Sequence, residues 1–185
     1  LTVMKLNNIK TERSSITLWV ALSLPVLITM FLFLFLRING MYDGRKYLQN
    51  VGDLSSRAAI SKVDIGSMLT IPAGEEEPQP QIDETEAISI AQQYLKNNLS
   101  LNKNMFTADV NTLIDNNSLS VDETSFQPNS ATDEGVAIKV LNNSSYINPV
   151  TGEAVTSPSV LIVMQFKLAL IFGPKIITTY SIASI

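Results

Sequence analysis

The sequence predicts an α+β fold: a long N-terminal transmembrane helix that extends into a small extracytoplasmic head with a helix and an antiparallel β-sheet. Three observations predict it. Residues 16–36 run for 21 positions without a charge, and at 1.5 Å rise per residue such a helix spans roughly 30 Å, the thickness of a bilayer's hydrocarbon core. Residues 83–99 repeat apolar side chains at helical spacing. From about Met105 onward, short β-branched and apolar runs alternate with clusters of Asn, Asp, Ser, Gly and Pro, the texture of strands and turns.

The apolar run is longer than the hydrophobic stretch of a cleavable signal, about 7–15 residues. It is followed by Arg37-Ile38-Asn39-Gly40-Met41, with no small-x-small cleavage site. An uncleaved signal anchor is the reading. Lys5, Lys10 and Arg13 precede the span, and Arg37, Arg45 and Lys46 follow it, so flanking charge is nearly balanced. The short tail and the long acidic remainder place the N-terminus inside. Pro25, mid-span, removes one backbone hydrogen bond and introduces either a simple kink or a packing feature for assembly.

The expected organisation is a cytoplasmic tail (1–13), a transmembrane helix (14–36), a helical extension (37–66), a linker (67–82) and an α+β domain (83–185). In the extension, Met41, Leu48, Val51, Leu54, Ala58 and Ala59 recur at three-, four- and seven-residue steps, with Arg45, Lys46, Gln49, Asn50, Asp53 and Arg57 on other faces. Gly40, Gly44 and Gly52 weaken the helix. Gly40-x-x-x-Gly44 reads as a flexible joint rather than a close-packing motif. Residues 72–82, PAGEEEPQPQI, have linker composition.

Asp83 or Thr85 caps the next helix, whose stripe is Ala87, Ile88, Ile90, Ala91, Tyr94, Leu95 and Leu99. Lys96 and Lys103 near its end complement the helix dipole. Strands are expected in FTADV (106–110), SLSV (118–121), VAIKVL (136–141), residues 159–172 and residues 175–185. Residues 160–172 are too short for a second span and carry Gln165 and Lys167, so they read as a strand. Turns are expected at 142–145, 148–152 and 172–175, the last closing a C-terminal hairpin.

Composition excludes several chemistries. The chain has 185 residues, no Cys and no His, so a Ser-His-Asp or Cys-His enzyme, a disulfide framework and a thiolate metal site are impossible. Residues 1–66 carry 8 basic and 4 acidic side chains, net +4, and residues 67–185 carry 5 and 13, net −8, giving the chain its −4. An acidic distal part argues against nucleic acid as a partner and against resting on an anionic membrane surface.

Asp109, Asp115, Asp122, Glu123, Asp133 and Glu134 lack the spacing of a calcium loop and read as scattered surface acids. Asn98-Leu99-Ser100, Asn116-Asn117-Ser118 and Asn142-Asn143-Ser144 match a glycosylation pattern that chance produces often. Lys139 and Lys167 read as solvent-facing. Ser61-Lys62 has no supporting catalytic pattern. No catalytic, cofactor-binding or metal residue is expected, and the chain is read as a non-enzyme.

Ala21-Leu22-Ser23-Leu24-Pro25-Val26-Leu27, then Arg45-Lys46-Tyr47-Leu48-Gln49-Asn50-Val51-Gly52-Asp53 and Ser55-Ser56-Arg57-Ala58-Ala59, resemble the N-terminal region of the Tad (Flp) pilus-assembly proteins of the TadE/TadG-like kind. The resemblance covers about residues 14–60. It rests on Leu24 and Pro25 in the span and on Leu48, Gln49, Asn50 and Asp53 after it. Where the TadE-like branch carries a cleavage-site Gly and a Glu, this chain has Ser14 and Trp19, so the TadG-like pattern fits better. The resemblance implies a minor pilin or pseudopilin in the bacterial cytoplasmic membrane, single-pass and N-terminus inside. Its partners would be the lipid bilayer and other pilus-assembly proteins or pilins, in homo- or hetero-oligomers. The alternative from the residues is a membrane-anchored extracytoplasmic binding module.

Overall fold

A computed structural model describes residues 2–64, 66–67, 80–117, 119–142, 145–171 and 173–185, with side chains from Ile16 onward. The architecture is α+β. Helix α1 (Thr2–Ile60) is followed by strands β1 (Val63–Asp64) and β2 (Gln81–Ile82), helix α2 (Glu84–Leu99), a 3₁₀ segment (Ser100–Met105) and helix α3 (Val110–Asp115). Then come β3 (Gly135–Leu141), β4 (Tyr146–Ile147), β5 (Ala154–Val155), β6 (Ser159–Leu168) and β7 (Lys175–Ser184). The chain divides into two compact units, Leu1–Gly40 and Met41–Ile185.

In the first unit, residues 16–36 are helical and exposed on every face, and the helix is apolar nearly all round, a composition compatible with a membrane span. Pro25 lies inside it. The hydroxyls of Ser23 and Thr29 donate to the carbonyls of Val20 (3.3 Å) and Pro25 (2.7 Å). Both polar side chains are thus satisfied within the helix, the condition for tolerating them in hydrocarbon.

The second unit is built on an antiparallel sheet in the order β3-β6-β7. Strand β6 lies in the middle, with Met164 opposite both Val136 of β3 and Thr179 of β7. Both faces of β6 are covered, so its sequence is a near-continuous apolar run rather than an alternation. Edge strand β7 alternates instead, with Ile177, Thr179, Ser181 and Ala183 buried. The C-terminal hairpin expected from the sequence is the β6–β7 pair.

On one face, Val136, Ile138, Val160, Ile162, Met164, Phe166 and Leu168 pack against Leu48, Val51 and Ala59 of α1 and Ala87, Ala91, Leu95 and Leu99 of α2. Asp83 is the α2 cap, its carboxylate accepting the Glu86 amide at 2.9 Å. Of the expected stripe, Tyr94 is exposed while Ile88 and Ile90 are half-buried. On the other face, Leu119, Phe126 and Tyr146 cover Ala137, Leu161 and Val163. The Phe126 and Tyr146 rings meet edge to face, centroids 5.5 Å apart.

Two expectations about elements are corrected, and one element is added. FTADV is not a strand: Phe106 makes one isolated bridge to Leu168, and Asp109 caps α3, which begins at Val110. An Asx cap three residues after a lone aromatic outcompetes the β pattern. SLSV contributes only the isolated Val121–Pro128 bridge and buried Leu119, and Ser118 lies outside the described residues. The β4–β5 hairpin goes beyond the expected elements, although its turn is among them. Asn148 accepts the Val150 amide at 2.8 Å, and Gly152 adopts φ 74°.

The boundaries also differ. Helix α1 ends at Ile60, and Val63–Asp64 pairs with Gln81–Ile82. Ser67 accepts the Gln81 amide at 2.9 Å. The chain on either side of residues 68–79, which lie outside the described residues, is therefore joined, and the linker expectation for 72–82 falls mostly there. The helical part from Met41 belongs to the same compact unit as residues 83–185. Of the expected extension stripe, Leu48, Val51 and Ala59 are buried but Leu54 is exposed and Ala58 only half-buried.

Gln165 shows why β6 is not a span. Buried, its amide donates to the carbonyls of Ser130 (2.8 Å) and Asp133 (2.6 Å), and its oxygen accepts from Thr178 at 2.9 Å. It fastens the loop before β3 to the sheet. Gln165→Ala leaves two carbonyls and a hydroxyl short of a partner, and is expected to lower the unfolding free energy by about 2–4 kcal/mol. Urea denaturation checks this, and a loss no larger than that of an exposed-site substitution would remove Gln165 from this role.

Candidate functional site

The residues singled out from the sequence fall in both units. Leu24 and Pro25 lie in the exposed apolar helix of the first. Leu48, Gln49, Asn50 and Asp53 lie in the second, on one turn and a half of α1. Leu48 is fully buried in the core. Gln49 reaches sideways: its amide nitrogen donates to Asp53 Oδ1 (3.0 Å), to the Tyr180 carbonyl (2.7 Å) and to Ser181 Oγ (3.3 Å). Helix α1 is thereby pinned to edge strand β7. Asn50 is exposed.

Two glycines make this docking possible, Gly44 and Gly52. A Cβ on Gly52 would sit 2.3 Å from Ser181 Oγ and 2.7 Å from Met164 Cε. A Cβ on Gly44 would sit 2.2 Å from Leu168 Cδ1. Their absent side chains let the helix backbone lie directly on β6 and β7. The price in helix propensity, about 1 kcal/mol each, is offset by this close approach. The sequence carried the signal in the eight-residue spacing of Gly44 and Gly52, which puts both near one face. Further along, the Tyr47 hydroxyl donates to the Asn98 carbonyl of α2.

The acidic candidates are engaged locally. Asp109 accepts from the Asn111 amide (3.2 Å) and the Thr112 hydroxyl (2.9 Å), Asp115 pairs with Lys96, and Glu134 accepts the Lys167 amide at 2.8 Å. Among the described residues no cluster of three metal-ligating side chains occurs. Lys139 is exposed, and Lys167 is half-buried. Ser61 donates to the Ala58 carbonyl at 2.7 Å, and Lys62 lies 3.5 Å from Glu86, so the pair is not directed at one point. Asn142 of the glycosylation pattern uses both ends of its amide on Ile82, at 2.8 and 2.9 Å. It acts as an extra strand partner for β2.

Asp122 has the most perturbed carboxyl. It accepts the Thr124 hydroxyl (2.6 Å), the Ser125 and Thr124 amides (2.8 and 2.9 Å) and the Ser125 hydroxyl (3.0 Å). These bonds, the Thr124 hydroxyl first, hold its pKa far below the usual carboxylate range. The turn they build ends at Phe126, at φ 55°, a conformation costing about 1–3 kcal/mol that burying the ring offsets. A depressed folded-state pKa gives a contribution present in full above the ordinary Asp range and lost progressively as pH falls from there to the folded value, while the folded-state carboxylate itself stays ionised. The Thr124 and Ser125 amide resonances are therefore expected to hold steady on acidification through pH about 4. A shift with an ordinary carboxylate midpoint would contradict the geometry.

Comparison with protein-family models, with curated proteins and with solved structures returns no match. What stands is the arrangement itself. An apolar helix long enough to cross a membrane lies within Ile16–Ile60, its best window reaching a mean hydropathy of 2.4. The same helix is fixed into an α+β unit from Met41 by glycine-mediated contacts. A cleft of about 560 Å³ in that unit is lined by Gln127, Gln165, Lys167, Lys175 and Thr178 among others. It is open, and its Gln165 and Thr178 are hydrogen-bonded to each other at 2.9 Å.

Proposed function

We propose that this chain is a single-anchor protein of the bacterial cytoplasmic membrane, N-terminus inside. It displays its α+β unit outside the cytoplasm as a minor-pilin-like structural component of a Tad (Flp) type pilus or a related secretion apparatus. The observation that supports this is the division of labour along one helix. Residues 16–36 are apolar on all faces and uncovered, whereas residues 41–60 bury one face in a folded unit. A subunit that must be stored in a bilayer and later pack against other subunits needs both an apolar helix and a folded unit in one chain. The resemblance of Leu24, Pro25, Leu48, Gln49, Asn50 and Asp53 to the pilus-assembly pattern supports the finer reading. The role is one of assembly and interaction, not catalysis.

Deleting the gene and counting surface pili tests the proposal. Pili are expected to disappear, to return with the wild-type chain and to stay absent with Leu27→Arg. A central Arg costs about 2.5–3.5 kcal/mol of insertion, roughly a hundredfold. Normal piliation in the deletion strain would sink the pilus reading and leave a membrane-anchored binding module in its place. N-terminal sequencing of protein from native membranes then separates a processed subunit, beginning near Ser15, from a permanently anchored assembly factor.

A further inference from the structure

The second unit is electrically polarised along the docked part of α1. Where α1 ends, Lys62 meets Glu86 at the start of α2, beside Asp64, Asp83 and Glu84. Where α1 enters, the neighbours are basic. Gly44 abuts Leu168 and Met105. Leu168 is opposite Lys175 in the sheet, and Arg45 shares a groove with Ile176 and Thr178. Lys103 and Lys167 flank Met105 and Leu168. None of Arg45, Lys46, Lys103, Lys167 and Lys175 forms an ion pair with a described residue. The carboxylates at this end are exposed Asp43 and Asp133, together with Asp109 and Glu134, whose oxygens accept the local hydrogen bonds given above.

The same end carries the three most exposed large apolar side chains of the unit's described residues: Leu101 at 78%, Ile171 at 69% and Tyr42 at 66%. Leu101 follows Asn98, which holds Tyr47, and Ile171 follows Ala169, whose amide donates to the Met105 carbonyl at 2.8 Å. Only residues 37–40 separate the apolar run from Met41, so chain length alone keeps Met41 within about 18 Å of its end.

We infer that this end of the unit is a lipid-contacting surface: Leu101, Ile171 and Tyr42 enter the interfacial layer of the bilayer while Arg45, Lys46, Lys103, Lys167 and Lys175 bind anionic headgroups. The inference rests on the anchor reading above. It replaces the expectation that net acidity keeps the distal part off an anionic surface. Net charge is the wrong quantity when the cations are segregated to the tethered end, since screening confines the interaction to about 8–10 Å.

The test uses the full chain reconstituted into phosphatidylcholine vesicles with and without phosphatidylglycerol, both carrying nitroxide-labelled lipid. The chain has no Cys, so Leu101→Cys, Ile171→Cys and Val150→Cys each accept one fluorophore. Val150 lies in the turn between β4 and β5, and β5 leads into Ser159, which begins β6 at the end opposite Leu168. With phosphatidylglycerol, quenching at 101 and 171 is expected to exceed that at 150 by about fivefold or more, and K103A/K175A is expected to remove most of the excess. Equal quenching at all three sites, or an excess indifferent to phosphatidylglycerol and to both lysines, would overturn the inference. An alkaline carbonate wash keeps the two readings apart. Protein released by the wash overturns the anchor itself, and protein retained without selective quenching overturns only the lipid-contacting surface.

Discussion

Leu48→Ala is expected to lower the unfolding free energy of the Met41–Ile185 unit by about 2–5 kcal/mol, the cost of emptying a fully packed leucine site. Leu54→Ala, one and two-thirds turns further along the same helix, is expected to change it by less than about 0.5 kcal/mol, because Leu54 is 54% exposed. The two substitutions are chemically identical and nearly equal in their effect on helix propensity, so their difference reports burial alone. Urea unfolding of the full chain in detergent, followed by tyrosine fluorescence, supplies both numbers. Equal losses would mean that residues 41–60 do not dock on the sheet, and the one-helix, two-role arrangement would fall with them.

Gly52→Val is expected to destabilise the same unit by about 2–3 kcal/mol. Two effects compete. Ala and Val both improve helix propensity over glycine, by at most about 1 kcal/mol for Ala and less for Val. Against this, the Cβ would stand 2.3 Å from Ser181 Oγ, 2.7 Å from Met164 Cε and 3.0 Å from Ser181 Cβ, and overpacking costs typically 1–3 kcal/mol. The clash also disturbs the Gln49 bond to Ser181. Stability is therefore expected to fall in the order Gly, Ala, Val. Ser181→Gly removes two of the three atoms that a Cβ at position 52 would strike, and the third, Met164 Cε, is the free end of a flexible side chain. A double-mutant cycle of Gly52→Ala with Ser181→Gly is thus expected to show a favourable coupling of at least about 0.5 kcal/mol. Strict additivity would mean that Gly52 is retained for some reason other than close approach.

Much of the fold is legible because its signals are local. The charge-free run at 16–36 needs only counting, and the Asp83 cap followed by Ala87, Ala91, Leu95 and Leu99 defines α2 by periodicity. The β6–β7 hairpin is legible from two long apolar or β-branched runs around Gly173-Pro174. The errors come where a local signal is weak or a distant partner decides. FTADV looks extended until the Asp109 cap is weighed. Leu54 and Leu48 look alike in sequence, and only the position of the sheet makes one core and the other surface.

Of the candidate site, Leu48 is legible as part of an apolar stripe, whereas the roles of Gln49 and Gly52 are not. Gln49 acts on Tyr180 and Ser181, more than 130 positions away. Gly52 looks like a weakness in a helix because its benefit exists only where Met164 and Ser181 approach it. Asn142 fits a glycosylation pattern equally well whether its amide is free or, as here, spent on Ile82.

The α+β class, the apolar helix and the lack of His- and Cys-dependent chemistry in this chain can all be read from residue order, since they depend on composition and on neighbours within one helical turn or one strand. Which face of α1 is core, and where the compact unit begins, emerge from the packing of the folded chain. The same packing decided that Gly44 and Gly52 are contacts, and that cations without an ion-pair partner among the described residues gather where α1 enters. Each of these is set by the meeting of segments far apart in the chain, and no local pattern encodes which segments will meet.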